Sequence, residues 1–194
     1  MTKSIYFYFD FISPYSYLAH QKIVKLKEQK KINFSYMPIL LGGLHKLQGI
    51  KAPAFIKPKL KHMINDCGLI AKKNESVFFW NSRFPINSLN IMRGYFFVND
   101  KTKDLYLNIM FDAYWRDNLD TSNERVLIPL LEKCKVNSSK FFAGIKDIEI
   151  KDKLKKVTQE AHDKEIFGAP TFVVNNKIFW GQDRLEFALD EYNK

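Results

Sequence analysis

Two serines near the N-terminus occupy the positions of a redox dithiol. Ser13-Pro14-Tyr15-Ser16 follows an aromatic and aliphatic run and has the spacing of a Cys-Pro-aromatic-Cys motif, with oxygen in place of both sulfurs. A dithiol at this spacing exchanges disulfides because the start of a helix stabilises its nucleophilic thiolate. A pair of hydroxyls has no such chemistry. The motif therefore favours a site that holds a thiol supplied by another molecule.

The residues on both sides of this motif predict a strand, a helix and a second strand. Residues 4–11 form a near-continuous apolar run that is typical of a central strand covered on both faces. Pro14 suits the first turn of a helix and Ser13 suits its N-cap, and apolar residues recur at helical spacing as far as the charged stretch around Lys30. Residues 32–38 alternate with period two. This order predicts a βαβ unit and a parallel pair of strands.

The C-terminal end predicts a helix, a hairpin and a last helix. Residues 154–165 have helical character, and glycine and proline within residues 167–170 interrupt it. Two short apolar runs within residues 171–181 flank a turn signal at 175–177. We expect a last helix to begin at Asp183. Combined with the βαβ unit, this arrangement predicts an α/β protein with the thioredoxin fold.

The residues between these two ends predict an α-helical insertion. Gly42-Gly43, Gly49 and Pro53 indicate a loop ahead of it. Helical patterns follow near residues 57–72, 86–100, 103–116, 123–134 and 138–143. We therefore predict a thioredoxin-like domain in two parts around an insertion, with boundaries at residues 1–56, 57–153 and 154–194.

The net charge of +10 raises the question of nucleic-acid binding. The basic residues are 26 lysines and 5 arginines, and the lysines are dispersed along the chain. Base readout and bidentate phosphate contacts favour arginine, whereas lysine is a strongly hydrated surface charge. We therefore expect no nucleic-acid partner, and a positive field that attracts small anionic substrates.

The sparse cysteines and histidines argue against a metal centre. Cys67 and Cys134 have no CxxC partner, and we expect two buried free thiols in a reducing compartment, with a disulfide between them as the second possibility. The four histidines have no metal-ligand spacing, so we predict no metal. No apolar run approaches the roughly 20 residues needed to cross a bilayer, and no signal-peptide pattern is present. We therefore expect a cytoplasmic protein without a membrane partner.

Four segments, in their order along the chain, carry a resemblance to a known family. They are FYFDFISPYSYLA, WNSRFPINSLNIMR, FGAPTFVV and FWGQDRLE. With them the chain resembles the 2-hydroxychromene-2-carboxylate isomerase family, a bacterial relative of the kappa-class glutathione transferases within the DsbA-like group. The resemblance implies a thioredoxin fold with a helical insertion, glutathione as cofactor and a homodimer.

The resemblance implies that Ser13 contacts the sulfur of glutathione and that Ala169-Pro170 contacts its cysteinyl part. Ser13 would donate a hydrogen bond to the sulfur and favour its thiolate, which a hydroxyl and the positive end of a helix both stabilise. Ser13 could instead serve as a helix cap alone. For Ser16, a position on the helix surface is favoured over a catalytic role. Ala169-Pro170 resembles a cis-proline loop, whose backbone would pair with the cysteinyl part of glutathione like an added strand.

The resemblance assigns the two charged ends of glutathione to different residues. Backbone N–H groups at Gln182 and Asp183 would take the γ-glutamyl carboxylate, and the Asp183 side chain would take its ammonium group. Asp183 could also be an ordinary N-cap of the last helix. Lys59 would approach the glycyl carboxylate. Ile50 departs from the kappa-class pattern, which has asparagine there.

Three further residues match the pocket for a second substrate. Trp80 and Asn81 match an aromatic-asparagine pair that lines this pocket in the isomerases. His45 falls where the isomerases have a basic residue, and it could equally be a solvated loop histidine.

The function that the resemblance implies is a glutathione-dependent isomerase. The thiolate would add reversibly to a conjugated substrate, either anionic or a conjugated carbonyl compound. A kappa-like glutathione transferase would differ only in releasing the adduct. A non-enzymatic thioredoxin-fold module that binds peptides or thiols is a rival hypothesis. A DsbA-type oxidoreductase is another, and the distance of both cysteines from the serine motif argues against it.

Overall fold

A four-stranded mixed sheet forms the centre of the computed structural model, which describes residues 3–29 and 32–194. The strand order is β2-β1-β3-β4, and the strands are β1 (Ile5–Phe9), β2 (Phe34–Pro38), β3 (Thr171–Val174) and β4 (Lys177–Trp180). β1 runs parallel to β2 and antiparallel to β3, which pairs with β4 in a hairpin. The predicted thioredoxin fold and its parallel strand pair are confirmed.

The aromatic run of β1 places this strand in the core. Phe7 and Phe9 are fully buried, and the Phe7 ring stacks on Phe172 of β3 at 5.3 Å between ring centroids. Tyr8 is buried on the opposite face in a second apolar cluster with Leu44. Tyr6 shares the face of Tyr8 but is 43% exposed, so the prediction of complete cover on both faces was wrong at this residue.

The first helix brings the serine motif to the edge of the sheet. α1 (Pro14–Gln29) begins directly after the turn that follows β1. The Ser16 N–H donates to Ser13 Oγ at 3.1 Å, so Ser13 is the predicted N-cap. The predicted end of this helix near Lys30 lies outside the described residues.

The five predicted helices of the insertion are present. They are α3 (Lys57–Lys73), α4 (Leu89–Phe97), α5 (Asp100–Trp115), α6 (Glu124–Lys133) and α7 (Ser138–Gly144). α8 (Ile148–Asp163) begins before residue 154, so the predicted boundary at 153/154 falls inside a helix. One apolar cluster contains β1, β3 and the buried faces of α4 to α7. The insertion and the sheet therefore share a core.

Three local predictions were wrong. Gly42-Gly43 lies in the helix α2 (Leu41–Leu47), because the buried Leu44 and the hydrogen bond from the Leu41 N–H to Asp10 outweigh the low helix propensity of glycine. The hairpin turn has two residues, Asn175 and Asn176, whose positive φ values of 49° and 61° are those of a type I′ turn. A 3₁₀ turn, Gln182–Arg184, precedes the last helix α9 (Leu185–Tyr192).

Candidate active site

A cavity of about 570 Å³ opens between the serine motif and the two loops that face it. Its lining consists of Asp10, residues 12–15, residues 40–43, His45, Ile50, residues 52–55, Met63, residues 84–88, residues 167–169 and Trp180. Ser13, His45 and Ala169 are thereby brought to one cavity from distant parts of the sequence. The volume is in the range of small-molecule sites.

Ser13 lies at this cavity and is held from two sides. Its hydroxyl donates to the Ala169 carbonyl at 3.0 Å and accepts the Ser16 N–H, and only 3% of the residue is exposed. The helix cap is therefore present, and Ser13 is also a residue of the cavity lining. Ser16 is fully buried and its Oγ has no hydrogen-bond partner in the described part of the chain. The prediction that Ser16 lies on the helix surface was wrong, because α3 and α5 pack against α1.

The Ala169–Pro170 peptide bond is cis, as predicted. The Pro170 carbonyl accepts the Gly181 N–H at 2.9 Å, which ties this loop to the end of β4. The Ala169 carbonyl accepts only the Ser13 hydroxyl, and the Ala169 N–H makes no hydrogen bond within the described residues. An extended peptide could therefore pair with Ala169 beside Ser13.

The structure separates the roles of Gln182 and Asp183. The Gln182 side chain is buried and accepts a hydrogen bond from Lys22 Nζ at 3.0 Å, so only its backbone is available to a ligand. The Asp183 carboxylate is exposed and pairs with Arg184 at 3.1 Å. No side-chain hydrogen bond caps the 3₁₀ turn or α9, so the assignment of Asp183 as an N-cap was wrong.

Asp10 is a cavity residue that the sequence reasoning missed. It is fully buried, its Oδ1 accepts the Ile12 N–H at 3.1 Å, and its Oδ2 accepts the Leu41 N–H at 2.8 Å. Burial raises the pKa of this carboxyl to about 6, although hydrogen bonds from these backbone groups and from Ser88 oppose the shift. The signal in the sequence was one acidic residue inside an aromatic run. Asp10 fixes the geometry of the loop that presents Ser13.

His45 lines the cavity, whereas Lys59 does not. His45 lies on α2 and is half-buried, and burial lowers the pKa of its imidazole. Lys59 is exposed in the first turn of α3, one helical turn before Met63, which does line the cavity. Lys59 is therefore at the rim rather than in the wall.

Trp80 and Asn81 lie behind the cavity wall. Both amide hydrogens of Asn81 donate to backbone carbonyls, of Tyr114 at 2.8 Å and Leu119 at 3.0 Å, and the side chain is 1% exposed. The Trp80 ring packs edge-on against Phe84 at 4.9 Å between centroids. Phe84 and Pro85, joined by a second cis bond that the sequence reasoning missed, form the wall itself.

This fold and site agree with one family model. The model of the DSBA-like thioredoxin domain matches residues 4–193. The chain belongs to this family. Its sequence is 29% identical to 2-hydroxychromene-2-carboxylate isomerase of Sphingobium xenophagum over 99% of this chain and 98% of that protein. It is 23% identical to human glutathione S-transferase kappa 1, over 96% of this chain and 89% of that one.

Solved structures support the same assignment. A structure of a 2-hydroxychromene-2-carboxylate isomerase superimposes with a TM-score of 0.88 and 25% identity, covering 96% of this chain and 92% of that one. The cytosolic disulfide reductase DsbM of Pseudomonas aeruginosa shares the fold, with a TM-score of 0.67 and 13% identity over 96% of this chain and 99% of that one. The expected resemblance to the isomerase family is confirmed, and its named relatives are enzymes.

Both cysteines of this DsbA-like chain are buried, and Cys67 lies beside the Tyr15 side chain, so the expectation that both lie far from the serine motif was wrong for Cys67. Cys67 and Cys134 are buried free thiols, as predicted, and burial raises the pKa of each to about 12. Neither lines the cavity. No described helix is long and apolar enough to cross a membrane.

The residues present fit glutathione. Ser13 offers a hydroxyl at the cavity, and Ala169 offers an unpaired N–H beside it. Asp183 and Lys59 carry exposed charges of opposite sign, which suit the ammonium group and a carboxylate of the tripeptide.

Proposed function

We propose that the chain is a glutathione-dependent isomerase of the 2-hydroxychromene-2-carboxylate isomerase type. One observation carries the proposal: the Ser13 hydroxyl, the start of α1 and the cis Ala169–Pro170 bond meet at a cavity whose described lining contains no cysteine. When bound, glutathione supplies a thiolate that adds reversibly to a conjugated carbon, so that the former double bond rotates before elimination. The names of the isomerase and kappa-class relatives support this assignment.

Ser13 and α1 stabilise the sulfur as a thiolate. The Ser13 hydroxyl donates to the Ala169 carbonyl in this structure. A thiolate is a charged acceptor and forms the stronger hydrogen bond, so the hydroxyl turns towards it. The positive end of α1 acts in the same direction.

The remaining site residues hold the peptide and the second substrate. Ala169 and Pro170 pair with the cysteinyl backbone, and the N–H groups of Gln182 and Asp183 take the γ-glutamyl carboxylate. The ammonium group of glutathione replaces Arg184 as the partner of the Asp183 carboxylate. This replacement costs little free energy, because exposed ion pairs contribute little to stability.

Lys59 binds the glycyl carboxylate from the rim. His45 contacts the second substrate inside the cavity, and Trp80 and Asn81 support the wall from behind. We further propose that the protein acts in the cytoplasm as a homodimer.

Ser13→Ala and Ser16→Ala form a matched pair that tests this function. We expect calorimetry to detect glutathione binding to all three proteins. The ultraviolet absorbance of a bound thiolate should appear in the native protein and in Ser16→Ala, and be lost in Ser13→Ala. The rate of glutathione addition to a conjugated ketone should fall roughly 100-fold in Ser13→Ala, as for other single donors to a developing anion.

Three outcomes separate the parts of this proposal. The absence of glutathione binding by the native protein would overturn it. Thiolate absorbance retained in Ser13→Ala would assign the effect to the start of α1 alone. Product analysis with a cis-configured conjugated ketone distinguishes an isomerase, which returns the trans isomer, from a transferase, which releases the adduct.

A further inference from the structure

The charge of the cavity differs from the charge of the whole molecule. The chain carries a net charge of +10, yet no lysine or arginine lines the cavity in the described residues. The ionisable side chains in the lining are Asp10, Tyr15 and His45. The cavity is thus a region without a permanent cation inside a strongly basic protein.

None of these three side chains supplies a positive charge near neutral pH. The Tyr15 hydroxyl donates to Asp66 Oδ2 at 2.8 Å. Burial lowers the pKa of His45 below its usual 6.5, so its imidazole is mainly neutral at pH 7.5. Asp10 is mainly ionised at that pH, because its pKa is about 6. An anion in the cavity therefore meets a buried carboxylate and no cationic side chain among the described lining residues.

The first N–H group of α2 is already occupied by the internal carboxylate of Asp10. Helix starts carry partial positive charge, and Gly42 and Gly43 line the cavity at this one. The carboxylate of Asp10 already accepts the first N–H group of α2, from Leu41, at 2.8 Å. This N–H group is thereby paired with an internal anion.

The walls suit a flat apolar molecule. Aromatic side chains surround the opening and the interior, and they are Tyr15, Phe55, Phe84, Phe167 and Trp180. Phe55, Phe167 and Trp180 are 63%, 43% and 53% exposed, which is unusual for large apolar side chains that lie together around one cavity. Aromatic rings bury large apolar area and stack on flat partners.

We propose that the second substrate of this site is an uncharged aryl-substituted conjugated ketone or aldehyde, and not a carboxylate. The inference rests on the proposed function, whose substrate class it narrows. It also separates this chain from its isomerase relatives, whose names specify a carboxylate substrate. The basic surface attracts the anionic glutathione, and the part of the cavity that glutathione leaves free selects a neutral second substrate.

Two unreactive ligands test the selection by binding alone. 4-Phenylbutan-2-one has a methyl group on its carbonyl carbon. 4-Phenyl-2-oxobutanoate has a carboxylate at that position and is otherwise the same molecule. In calorimetric titrations at pH 7.5, with and without saturating glutathione, we expect the ketone to bind at least about tenfold more tightly, since unpaired like charges are strongly disfavoured at contact. Equal affinities, tighter binding of the acid, or no binding of the ketone would overturn the inference.

His45→Arg tests whether the missing cation sets this preference. The variant places a permanent positive charge in the cavity, so the affinity for the acid should rise about tenfold while that for the ketone changes little. His62→Arg is the matched control, because His62 is exposed on α3 and does not line the cavity. An unchanged ratio in His45→Arg, or the same shift in both variants, would contradict the role of the cavity charge.

The failure of this inference can be distinguished from the failure of the proposed function. Glutathione binding is measured in its own titration, and its absence would remove the proposed function while the ketone-to-acid ratio still reports on the cavity. Conversely, a protein that binds glutathione and prefers the acid would keep the proposed function and lose this inference.

Discussion

Two buried titratable side chains, Asp10 and His20, have pKa values that move in opposite directions. Burial raises the pKa of Asp10 to about 6 and lowers that of His20 to about 4, because it disfavours the charged form of each. His20 Nδ1 lies 3.0 Å from the Tyr36 hydroxyl and Nε2 lies 2.7 Å from Asn108 Oδ1. A neutral imidazole satisfies both contacts when Nε2 carries the proton, since the amide oxygen only accepts.

These shifts make opposite contributions to stability between about pH 4 and 6. Folded Asp10 keeps a proton that the unfolded chain loses above its usual pKa of 3.8, so this contribution to stability is lost as the pH rises through about 6. Folded His20 excludes a proton that the unfolded chain binds below pH 6.5, so its contribution is lost as the pH falls. The two contributions therefore partly cancel in the pH dependence of the free energy of unfolding.

Asp10→Asn isolates the contribution of the carboxyl group. Relative to the variant, the native protein should lose on the order of 3 kcal/mol in free energy of unfolding between pH 4 and pH 7, from a shift of about two pKa units. Urea unfolding at both pH values measures this difference. Asp190→Asn, on the exposed face of α9, is the control and should show no such trend. A flat difference for Asp10→Asn would contradict the raised pKa.

The helices of the insertion meet at a close contact around Gly94 of α4. A Cβ atom added to Gly94 would overlap the Tyr106 hydroxyl of α5 and lie 2.6 Å from the Phe141 ring of α7. The glycine therefore permits the approach of three helices that complete the shared core. Gly68 of α3 differs, since its Cβ would meet no atom within 4 Å.

Gly94→Ala and Gly68→Ala should change stability in opposite directions. Overpacking at Gly94 is expected to cost about 1–3 kcal/mol. At Gly68, alanine should stabilise the helix by about 0.5–1 kcal/mol because it lowers the entropy cost of ordering the backbone. Urea denaturation of both variants measures these changes, and a neutral Gly94→Ala would show that α5 and α7 move apart easily.

At the scale of the whole molecule, we propose that the basic surface and the cavity act on different ligands. The lysines that give the +10 charge are dispersed, and none of those described lines the cavity. The field of exposed charges is screened by salt, whereas contacts inside a cavity are screened much less. Glutathione should sense this surface because it carries a net negative charge.

The KM values for the two substrates should therefore respond differently to salt. Raising the ionic strength from about 0.05 to 0.5 M is expected to increase the KM for glutathione a few-fold, because salt shortens the Debye length and screens exposed charges. The KM for a neutral conjugated ketone should change little. Equal responses would indicate that the surface field does not assist glutathione binding.

Much of the fold could be predicted because its signals are local. A near-continuous apolar run predicted β1, a period of two predicted β2, and helical patterns predicted the helices of the insertion, while Pro14 with Ser13 marked the start of α1. Tertiary contacts overrode two local signals: Leu44 and Asp10 hold Gly42-Gly43 in a helix, and packing by neighbouring helices buries Ser16. Local sequence contains no information about such partners.

The sequence by itself determined that the dithiol is replaced by two serines, that the fold is thioredoxin-like, and which functional groups Ser13, Ala169 and Asp183 can offer. Motifs and periodic patterns are properties of neighbouring residues, so they can be recognised without the tertiary structure. Only the tertiary structure decided which residues share the cavity. It placed Asp10 and His45 inside, Lys59 at the rim, and Asn81 behind the wall. Burial and distance arise from contacts between residues far apart in the chain, and these contacts set the charge of the cavity.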